Sequence, residues 1–404
     1  MTTEATPQVL EGVRIVDVGH VLAGPMTSSL LSDFGADVIH VESPETGDFM
    51  RELTGAAGQA RASRGYDMIN RNKRNITLDM RKPKARDLFH KLLAVSDVVT
   101  ENFRPYVFPR WGHDWDTMHA INPRLIYCKL SGYGATGPRQ HRRAYGRIAE
   151  AWGGWAYING HEDGPALHSG YSWGDTLDSL WAATAIMGAL YWRDVQGGGE
   201  GQLIDQGLVE PLFRAIEQQI IIYDQTGVNV KRFGTRHEAT PYVDTCQTKD
   251  GRYFRFSAWT QDAIGNLLSA LGLSQDSRFN TLEACIQRRD EFSQTAHAWF
   301  KERTLAEAIE TFEKHQAIGA PVMSGEDLYH DPHIKARDML VSLPDPEGGE
   351  KPIVMQGVVP KFSETPGSVR SACHPLAADN EEVYCGLLGL SQDELADLMA
   401  EGVV

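Results

Sequence analysis

The chain has 404 residues, with 39 lysines and arginines against 54 aspartates and glutamates, so its formal net charge at pH 7 is -15. Hydrophobic residues make up 42% and charged residues 23% of the sequence, which is typical of a globular protein with a large core. The acidic balance argues against a protein whose main partner is nucleic acid, because binding to phosphates needs a basic surface. At about 100–200 residues per domain, the length predicts two domains, or one large domain with an insert.

The sequence contains no signal for secretion, membrane insertion or disulfide formation. Its first residues, MTTEATPQVLEG, lack the basic segment and apolar run of a secretory signal peptide. The longest apolar stretch is about twelve residues long, whereas a helix that crosses a bilayer needs about 20. The five cysteines form no CxxC pair, so we expect a reduced, cytoplasmic protein with no zinc site. His330 and His333 are close in sequence, but they lie in a proline-containing turn, and we expect no metal there.

The first 130 residues alternate between strand patterns and helix patterns. Short runs rich in β-branched residues predict strands at 13–18, 37–41, 97–100 and 125–129, and apolar spacing predicts helices at 26–34 and 82–95. A repeated order of strand, loop, helix and strand is typical of a parallel sheet covered by helices. We therefore predict an α/β fold.

The pattern changes in the second half of the chain. A helix is predicted at 176–194, a strand at 202–205 and one long helix at 208–226. Residues 232–318 then show a hairpin with its turn at Asp250 and Gly251, followed by amphipathic helices at 261–271, 289–301 and 305–315. This region is a candidate smaller α+β domain.

The segment GHVLAGP, residues 19–25, is the first candidate site, because it opens a predicted helix. A helix N-terminus has free N–H groups and suits phosphate or carboxylate. Glu42 ends the next strand, where a dinucleotide-binding fold places a ribose-binding acid. However, Gly19 and Gly24 do not form a GxGxxG motif, so NAD binding is disfavoured. The alternative is an ordinary turn in which His20 is a packed histidine.

Two further segments could bind phosphates. NRNKRN at 70–75 has three cations and comes just before a predicted strand, ITLDM, and ENFRP at 101–105 directly follows another predicted strand. Lysine and arginine supply charge-assisted donors, and ligands bind at the carboxyl ends of parallel strands. The alternative for each segment is a structural or solvated role.

Asp175 is the candidate nucleophile. It lies at the start of the predicted apolar helix, next to Gly174 and three residues before Asp178. A positioned carboxylate can attack an activated acyl group, and the glycine leaves room for a bulky electrophile. The alternative is that Asp175 caps the helix and Asp178 interacts with its dipole.

In combination, these segments resemble the class III CoA-transferase family, which includes the formyl-CoA and carnitine CoA-transferases. The matching pieces occur in family order over nearly the whole chain: GHVLAGP, FGADVIHVE, NRNKRNITLDM, ENFRP, INPRLIYCKLSGYGATGP, AYGRIAEAWGG, the Gly-Asp pair at 174–175, GALYWRDVQGGGEGQLID and DPHIKARDM.

The resemblance implies a Rossmann-like large domain with a parallel sheet, a smaller α+β domain and an interlocked homodimer. The segments expected are 1–205 for the first part of the large domain, 206–231 for a linker helix, 232–325 for the small domain, and 326–404 for a return linker and the C-terminal part of the large domain. The implied substrates are an acyl-CoA and a small carboxylic acid. No tightly bound cofactor, metal, nucleic acid or membrane partner is expected.

The resemblance also implies the reaction and its residues. Asp175 would attack the thioester, forming a mixed anhydride and then an aspartyl-CoA thioester, from which CoA passes to the acceptor. By position, CoA contacts are expected from two segments: Asn72, Lys73, Arg74, Asn102, Phe103 and Arg104. His20 matches a histidine near the pantetheine end, and Tyr145 matches a tyrosine of the pocket.

Three positions depart from the family patterns. Leu22 stands where formyl-CoA transferase has a glutamine, and Trp259 stands where that enzyme has a glycine-rich lid. Tyr145 stands where the related acyl-CoA racemases have a catalytic histidine, and a tyrosine has too high a pKa for that role. A transferase is therefore favoured over a racemase or epimerase of the same fold, and a non-catalytic CoA-binding protein is the third alternative.

Six tryptophans lie in the central region: Trp152, Trp155, Trp173, Trp181, Trp192 and Trp259. Core packing is the simpler interpretation. The alternative is an apolar acyl pocket with Trp152, Trp173 or Trp259 in its wall.

Overall fold

A computed structural model describes residues 7–52, 64–216, 218–346 and 348–404 of the chain. Its contacts divide the chain into two compact units. The first unit, here the large unit, contains residues 1–155, 168–217 and 333–404, and the second, the small unit, contains 156–167 and 218–332. The contact boundaries therefore differ from the expected segments, because residues 156–167 group with the small unit and no separate linker is set apart.

The strands of the described residues are β1 (Arg14–Asp17), β2 (Asp37–Glu42), β3 (Lys73–Thr77), β4 (Val98–Glu101), β5 (Ile126–Ser131), β6 (Leu203–Gly207), β7 (Val243–Gln247), β8 (Tyr253–Ser257), β9 (Gly319–Pro321), β10 (Leu340–Leu343) and β11 (Ile353–Gln356).

The α-helices of the same residues are α1 (Ala23–Ser32), α2 (Arg64–Ile69), α3 (Pro83–Ala94), α4 (Val107–Arg110), α5 (Trp115–Ile121), α6 (Gly146–Trp152), α7 (Trp155–Ile158), α8 (Trp173–Asp194), α9 (Val209–Ala215), α10 (Gln219–Thr226), α11 (Gln261–Ala270), α12 (Leu282–Gln287), α13 (Arg289–Lys301), α14 (Leu305–Lys314), α15 (Gly325–His330), α16 (Pro332–Ala336) and α17 (Gln392–Ala400). A 3₁₀ turn covers Phe49–Arg51 and a π-helical turn covers Glu382–Leu387.

A parallel sheet forms the centre of the large unit and confirms the predicted α/β class. Its strand order is β3-β2-β1-β4-β5-β6, and every pair is parallel. This is the order of a Rossmann fold, which reverses direction between β1 and β4. Ligands bind in such sheets outside the carboxyl ends of the strands at this point.

Alternate residues of the strands pack on opposite faces of the sheet. Val16 and Ile39 join the core on one face, where α3 and the C-terminal helix α17 pack. Ile15 and Val38, their direct neighbours in sequence, join the core on the other face, which α1 and α8 cover. Burial on both faces explains why β1, β2 and β4 each contain two or more adjacent apolar residues.

Three predicted elements need correction. Helix α8 begins at Trp173 rather than 176, because Gly174 packs on the backbone of Gly146 and Trp173 packs on Trp155. The single helix predicted at 208–226 is two helices, α9 and α10, and Glu217 between them lies outside the described residues. Strand β3 begins at Lys73, inside the basic segment that was predicted to precede the strand.

The small unit contains a sheet in the order β7-β8-β9, with antiparallel pairs. The predicted hairpin is confirmed, and Gly251 in its turn has a left-handed backbone with φ of 79°. The amphipathic helices predicted there are confirmed as α11, α13 and α14. Their apolar faces enclose an aromatic core that includes Phe254, Phe256 and Phe300.

None of the described helices combines the length and the apolar character that a membrane crossing requires. The five cysteines are all free thiols.

Candidate active site

A cavity of about 140 Å³ opens at the carboxyl ends of β1, β4 and β5 in the large unit. Its walls come from the loop after β1, the loop after β4, the end of β5, the start of α6 and the first turns of α8. The lining residues are His20, Val21, Leu22, Ala23, Asn102, Phe103, Leu130, Ser131, Gly132, Ala144, Tyr145, Asp175, Asp178 and Leu208. The cavity therefore lies where the Rossmann strand order predicts a ligand.

Asn102 holds the loop after β1 against the loop after β4. Its Oδ1 accepts a hydrogen bond from the His20 N–H at 2.8 Å, and its Nδ2 donates to the His20 carbonyl at 2.7 Å. The next residue, Val21, has a left-handed backbone with φ of 68°, and the Asp48 carboxylate accepts from its N–H at 2.8 Å. A strained β-branched residue held in this way is typical of functional loops. The ring of Phe103 packs edge-on against His20, with 5.1 Å between the centroids.

The structure thus brings together His20 and two of the CoA contacts predicted in ENFRP, Asn102 and Phe103. The third contact predicted in that segment, Arg104, is exposed, and its guanidinium donates to the Tyr106 hydroxyl at 2.5 Å. Leu22 lies in the cavity wall as the N-cap residue of α1 and supplies only apolar surface there.

Glu101, which was not among the candidate residues of the sequence, stabilises the loop after β4. Its carboxylate accepts from the Phe103 N–H at 2.5 Å and from the Tyr127 hydroxyl at 2.8 Å. Burial raises the pKa of Glu101 to about 7, although Tyr127, Lys129 and the Phe103 N–H act in the opposite direction.

Asp175 lies in the first turn of α8, with its carboxylate at the cavity. The N-cap residue is Ser172, not Asp175, so the capping alternative for Asp175 is wrong. The Ser172 hydroxyl donates to Asp175 Oδ2. A Cβ atom on Gly146 would collide with the same carboxylate, and one on Gly174 would lie 2.7 Å from the Gly146 carbonyl oxygen. Two glycines are therefore required for the close approach of α6 and α8 that positions Asp175.

Burial raises the pKa of Asp175 above its ordinary value, and the negative charge of Glu150 acts in the same direction. Hydrogen bonds from Ser172 and from backbone N–H groups, including that of Gly146, act against this shift. The carboxylate is thus partly desolvated but still held by donors, which suits a nucleophile.

Asp178, one turn further along α8, is fully buried at the same cavity. Gln206 on β6 donates to its Oδ1 at 2.6 Å. Burial, with added repulsion from Asp175 and Glu210, raises the pKa of Asp178 to about 8 despite the hydrogen bond from Gln206. This shift of the pKa favours the neutral, protonated form of the Asp178 carboxyl group.

The predicted CoA contacts of the basic segment are engaged inside the protein. Lys73 is buried, and its ammonium donates to Asp17 Oδ2 at 2.9 Å, to the Pro25 carbonyl at 2.7 Å and to Asn70 Oδ1 at 2.9 Å. All three of its donors are used, so the structure assigns Lys73 a structural role instead of a phosphate contact.

The two neighbours of Lys73 are also paired. Asn72 has a left-handed backbone with φ of 62°, and its amide donates to Asp33 Oδ1 at 3.0 Å. The Arg74 guanidinium donates to both oxygens of Asp37 at 2.6 Å and to Glu382 at 3.0 Å. The acids that bind this segment come from other elements, which is why its basic sequence suggested a free cationic patch.

The candidate residues for an acyl pocket lie in different places. Tyr145 lines the cavity mouth as the N-cap residue of α6 and is 72% exposed. Trp173 packs against Trp155, with 5.9 Å between ring centroids, and is not among the cavity-lining residues. Trp152 lines a separate cavity with Tyr133.

Trp259 belongs to the small unit, where it is exposed. Its indole Nε1 donates to the Ser257 hydroxyl at 2.9 Å, and its ring packs against His237.

A second cavity, of about 250 Å³, adjoins the first and shares His20 and Phe103 with it. It extends past the ends of β2 and β3, where Glu42, Asp79 and Arg81 line it. Two cavities with a common wall at His20 and Phe103 fit an elongated ligand.

One cluster of possible metal ligands is found among the described residues, and the sequence analysis did not select it. Asp244, Cys246 and His297 of the small unit have ligand atoms within 4.8 Å of one another. Asp244 already accepts from Thr235 at 2.5 Å and from Ser293 at 2.7 Å, so both of its oxygens have protein donors.

The large unit thus has a Rossmann-ordered parallel sheet, and the Asp175 carboxyl group lies at a cavity on the carboxyl edge of that sheet. Residues 10–380 match the family model for CoA-transferase family III, and the chain belongs to this family. The resemblance in the sequence is thereby confirmed, and the protein is a CoA-transferase.

The relatives agree with this assignment. The chain is 35% identical to succinyl-CoA–D-citramalate CoA-transferase of Chloroflexus aurantiacus, with 100% of each chain covered. It is 34% identical to the β subunit of succinyl-CoA–L-malate CoA-transferase of the same organism (100% and 99% covered) and 31% identical to formyl-CoA:oxalate CoA-transferase of Streptomyces avermitilis (98% and 100% covered). A solved CaiB/BaiF family protein of Brucella suis is 30% identical with a TM-score of 0.83, over 94% of this chain and 100% of that one. These names do not favour the racemase or epimerase alternative.

Proposed function

We propose that the protein moves CoA from an acyl-CoA thioester to a free carboxylic acid through covalent intermediates on Asp175. The observation that supports this most directly is the position of the Asp175 carboxylate at the cavity, held by Ser172 and closely approached by Gly146. A carboxylate held in one orientation needs little reorganisation before it attacks an acyl carbon.

In the first half of the reaction, Asp175 attacks the thioester carbonyl carbon. The carbon–sulfur bond breaks, which leaves a mixed anhydride on Asp175 and a CoA thiolate. The thiolate then attacks the Asp175 carbonyl carbon, the donor leaves as a free carboxylate, and an aspartyl-CoA thioester remains. Each step exchanges one acyl bond for another, as in other covalent catalysis.

In the second half, the acceptor carboxylate attacks the aspartyl-CoA thioester and releases CoA thiolate. The resulting anhydride joins Asp175 to the acceptor. The thiolate attacks the acceptor's carbonyl carbon, so that the acceptor leaves as its CoA thioester and Asp175 is regenerated. No water and no external base enters the sequence.

We propose that CoA binds along the two adjacent cavities. The thioester would lie in the cavity beside Asp175, and the rest of CoA would pass His20 and Phe103 toward the second cavity. Arg104 is exposed beside this path and is our candidate for a phosphate contact, whereas Asn72, Lys73 and Arg74 would act indirectly by holding the strands in place.

A homodimer remains part of the proposal. The outward face of α8 exposes several large apolar side chains, among them Trp181 (45% exposed), Tyr191 (54%) and Trp192 (52%). An exposed apolar patch of this kind indicates a protein interface. A folded monomer in light scattering at low concentration would contradict the dimer.

A cytoplasmic location, expected from the free thiols, also stays a proposal.

Mass spectrometry of the peptide that contains Asp175 tests the covalent mechanism. The protein is incubated with a panel of acyl-CoAs, each with and without hydroxylamine, and with acceptors that include oxalate, L-malate and D-citramalate. Succinyl-CoA is the first donor to test, because two of the relatives are named for it. A hydroxamate or a CoA adduct on Asp175 supports the proposal.

The control variants are Asp175→Ala and Asp175→Asn, which should bind CoA and form no adduct. Tight CoA binding by the unaltered protein, with no adduct from any donor and no transfer, would instead favour a non-catalytic CoA-binding protein. Deuterium exchange at the acyl α-carbon would reveal a racemase.

A further inference from the structure

The cavity beside Asp175 contains a second carboxyl group, that of Asp178, which the mechanism above does not use. Asp178 is 0% exposed and lines the cavity from the next turn of α8. Residues three apart in a helix lie on one face, with about 5–6 Å between their Cβ atoms. An acyl group bonded to Asp175 is therefore within reach of the Asp178 carboxyl.

Only one of the two oxygens of Asp178 has a partner. The Gln206 amide donates to Oδ1 at 2.6 Å and to the Asp178 carbonyl at 2.8 Å, which secures α8 to β6. Oδ2 is buried, and no group among the described residues makes a hydrogen bond to it. A buried polar atom without a hydrogen-bond partner is unfavourable, so a partner from a bound ligand would stabilise it.

The surroundings of Asp178 keep it neutral. The titratable groups that face it are Asp175 on its own helix, Glu210 on α9 and the buried thiol of Cys128 on β5. Burial and the two carboxylates raise the pKa of Asp178 to about 8, against the hydrogen bond from Gln206. Because Oδ1 accepts from Gln206, the proton of the neutral form lies on Oδ2, which makes that atom a hydrogen-bond donor.

A second group on the same cavity wall has the same property. The Ser131 hydroxyl at the end of β5 is buried and has no hydrogen-bond partner in the part of the chain that the structure describes. Two residues that line one cavity thus each have a buried oxygen without a partner, and a ligand with an oxygen acceptor would satisfy such a group. The carbonyl oxygen of an acyl group is such an acceptor.

We propose that Asp178 is a second catalytic residue of CoA transfer, whose neutral carboxyl donates a hydrogen bond from Oδ2 to the carbonyl oxygen of the acyl group at Asp175. This inference rests on the proposed function, because it requires the acyl group at that position. As the carbonyl carbon is attacked, its oxygen gains negative charge and the hydrogen bond strengthens. A carboxylic acid kept neutral by its surroundings can serve as such a donor. The proton stays on Asp178, so the bonds made and broken above are unchanged.

Two substitutions separate this role from a purely structural one. Asp178→Asn keeps an oxygen for Gln206 and places an N–H donor where Oδ2 lies. Asp178→Leu has a similar volume and neither group. We expect Asp178→Asn to retain most of the kcat for CoA transfer and Asp178→Leu to lose roughly 10²–10³-fold, the usual effect of removing one such donor. KM for the acyl-CoA should change little, because the hydrogen bond strengthens mainly during the reaction.

Either of two results would overturn the proposal: wild-type kcat in Asp178→Leu, or equal losses in the two variants. If Asp178→Leu does not fold, the pH dependence of kcat decides. The wild type should lose rate above about pH 8, as Asp178 ionises and ceases to donate, and Asp178→Asn should not. An equal loss of kcat above pH 8 in the wild type and in Asp178→Asn would contradict a donor role. Failure of the proposed function is distinguishable, because the wild type would then form no adduct on Asp175 at all.

Discussion

The Asp17 carboxylate and the Lys73 ammonium form an ion pair of 2.9 Å in the core of the large unit, where neither side chain is more than 1% exposed. The ion pair joins the end of β1, directly before the loop that lines the cavity, to the start of β3. His40 and Ser28 also contact Asp17 Oδ2, at 3.0 and 2.6 Å. Burial alone would raise the pKa of Asp17, but Lys73 and His40 hold it below its ordinary value.

We expect Lys73→Met to lower the free energy of unfolding by about 3–5 kcal/mol, because it leaves Asp17 buried without its main counter-charge. Denaturant unfolding measures this effect. The double variant Asp17→Asn/Lys73→Met should recover part of the loss. CoA affinity of the folded fraction should be unchanged in Lys73→Met, and a stable variant with weak CoA binding would contradict the structural role.

The basic segment illustrates what sequence patterns cannot reveal. The cations of residues 70–75 are visible in the sequence, but the acids that pair with them, Asp17, Asp33 and Asp37, lie on other elements. Burial of a charge depends on such long-range partners, so NRNKRN resembled a free surface patch. Strands β1, β2 and β4 were easier to predict, because a strand covered on both faces buries adjacent apolar residues, and such pairs are visible in the sequence.

Gly146→Ala tests the close approach of α6 to Asp175. The new Cβ would collide with the Asp175 carboxylate and the Ser172 hydroxyl, so one of them must move. We expect a loss of about 10²-fold in kcat, since a shift of about 1 Å at a reacting group has this effect. A matched control is Gly265→Ala in α11, where a Cβ meets no atom within 4 Å. Normal kcat in Gly146→Ala would show that Asp175 needs no such placement.

Asn102→Ala tests the two hydrogen bonds by which Asn102 holds the loop after β1 at the cavity. The substitution removes both hydrogen bonds to the His20 backbone and frees Val21 to leave its left-handed conformation. We expect kcat/KM for the acyl-CoA to fall by about 10- to 100-fold, the effect of two lost hydrogen bonds at roughly 0.7–1.4 kcal/mol each.

Asn122→Ala is the control for this variant. The Asn122 amide donates to the Leu93 and Ser96 carbonyls and accepts from the Arg124 N–H, but Asn122 does not line the cavity. It should lose stability and keep kcat/KM. An equal fall in kcat/KM in the two variants would mean that the hydrogen bonds of Asn102 affect activity only through overall stability.

The pair of carboxyl groups on α8 shows how far the sequence leads toward the site. The resemblance selected Asp175, whereas Asp178, three residues further along the sequence, was considered only as a partner of the helix dipole. The neutral state of Asp178 could not be predicted from that spacing, because it depends on burial and on Glu210 from another helix. Likewise, the start of α8 depends on contacts of Gly174 with Gly146, which are distant in sequence.

His113 should make the protein less stable in mild acid. Its ring packs between Phe89 and Phe108, with centroids 4.7 and 4.9 Å away, and neither ring nitrogen has a hydrogen-bond partner among the described residues. Burial, together with the nearby His90 and Arg86, lowers the pKa of His113 from 6.5 to about 3.

The unfolded chain therefore binds a proton at His113 between about pH 6.5 and pH 3, and the folded chain does not. Stability rises with pH wherever the unfolded state holds more protons, so this group costs stability as the pH falls through 6.5. Between pH 7 and pH 5 the loss from this residue is about 2 kcal/mol.

We expect His113→Phe, which keeps an aromatic ring in the cluster, to remove that part of the pH dependence of the unfolding free energy and to leave the rest. The matched control, His141→Phe, replaces an exposed histidine and should keep the wild-type slope. Urea unfolding of the three proteins at pH 7, 6 and 5 measures the difference. Parallel slopes for the wild type and His113→Phe would show that His113 becomes protonated in the folded protein as readily as in the unfolded chain.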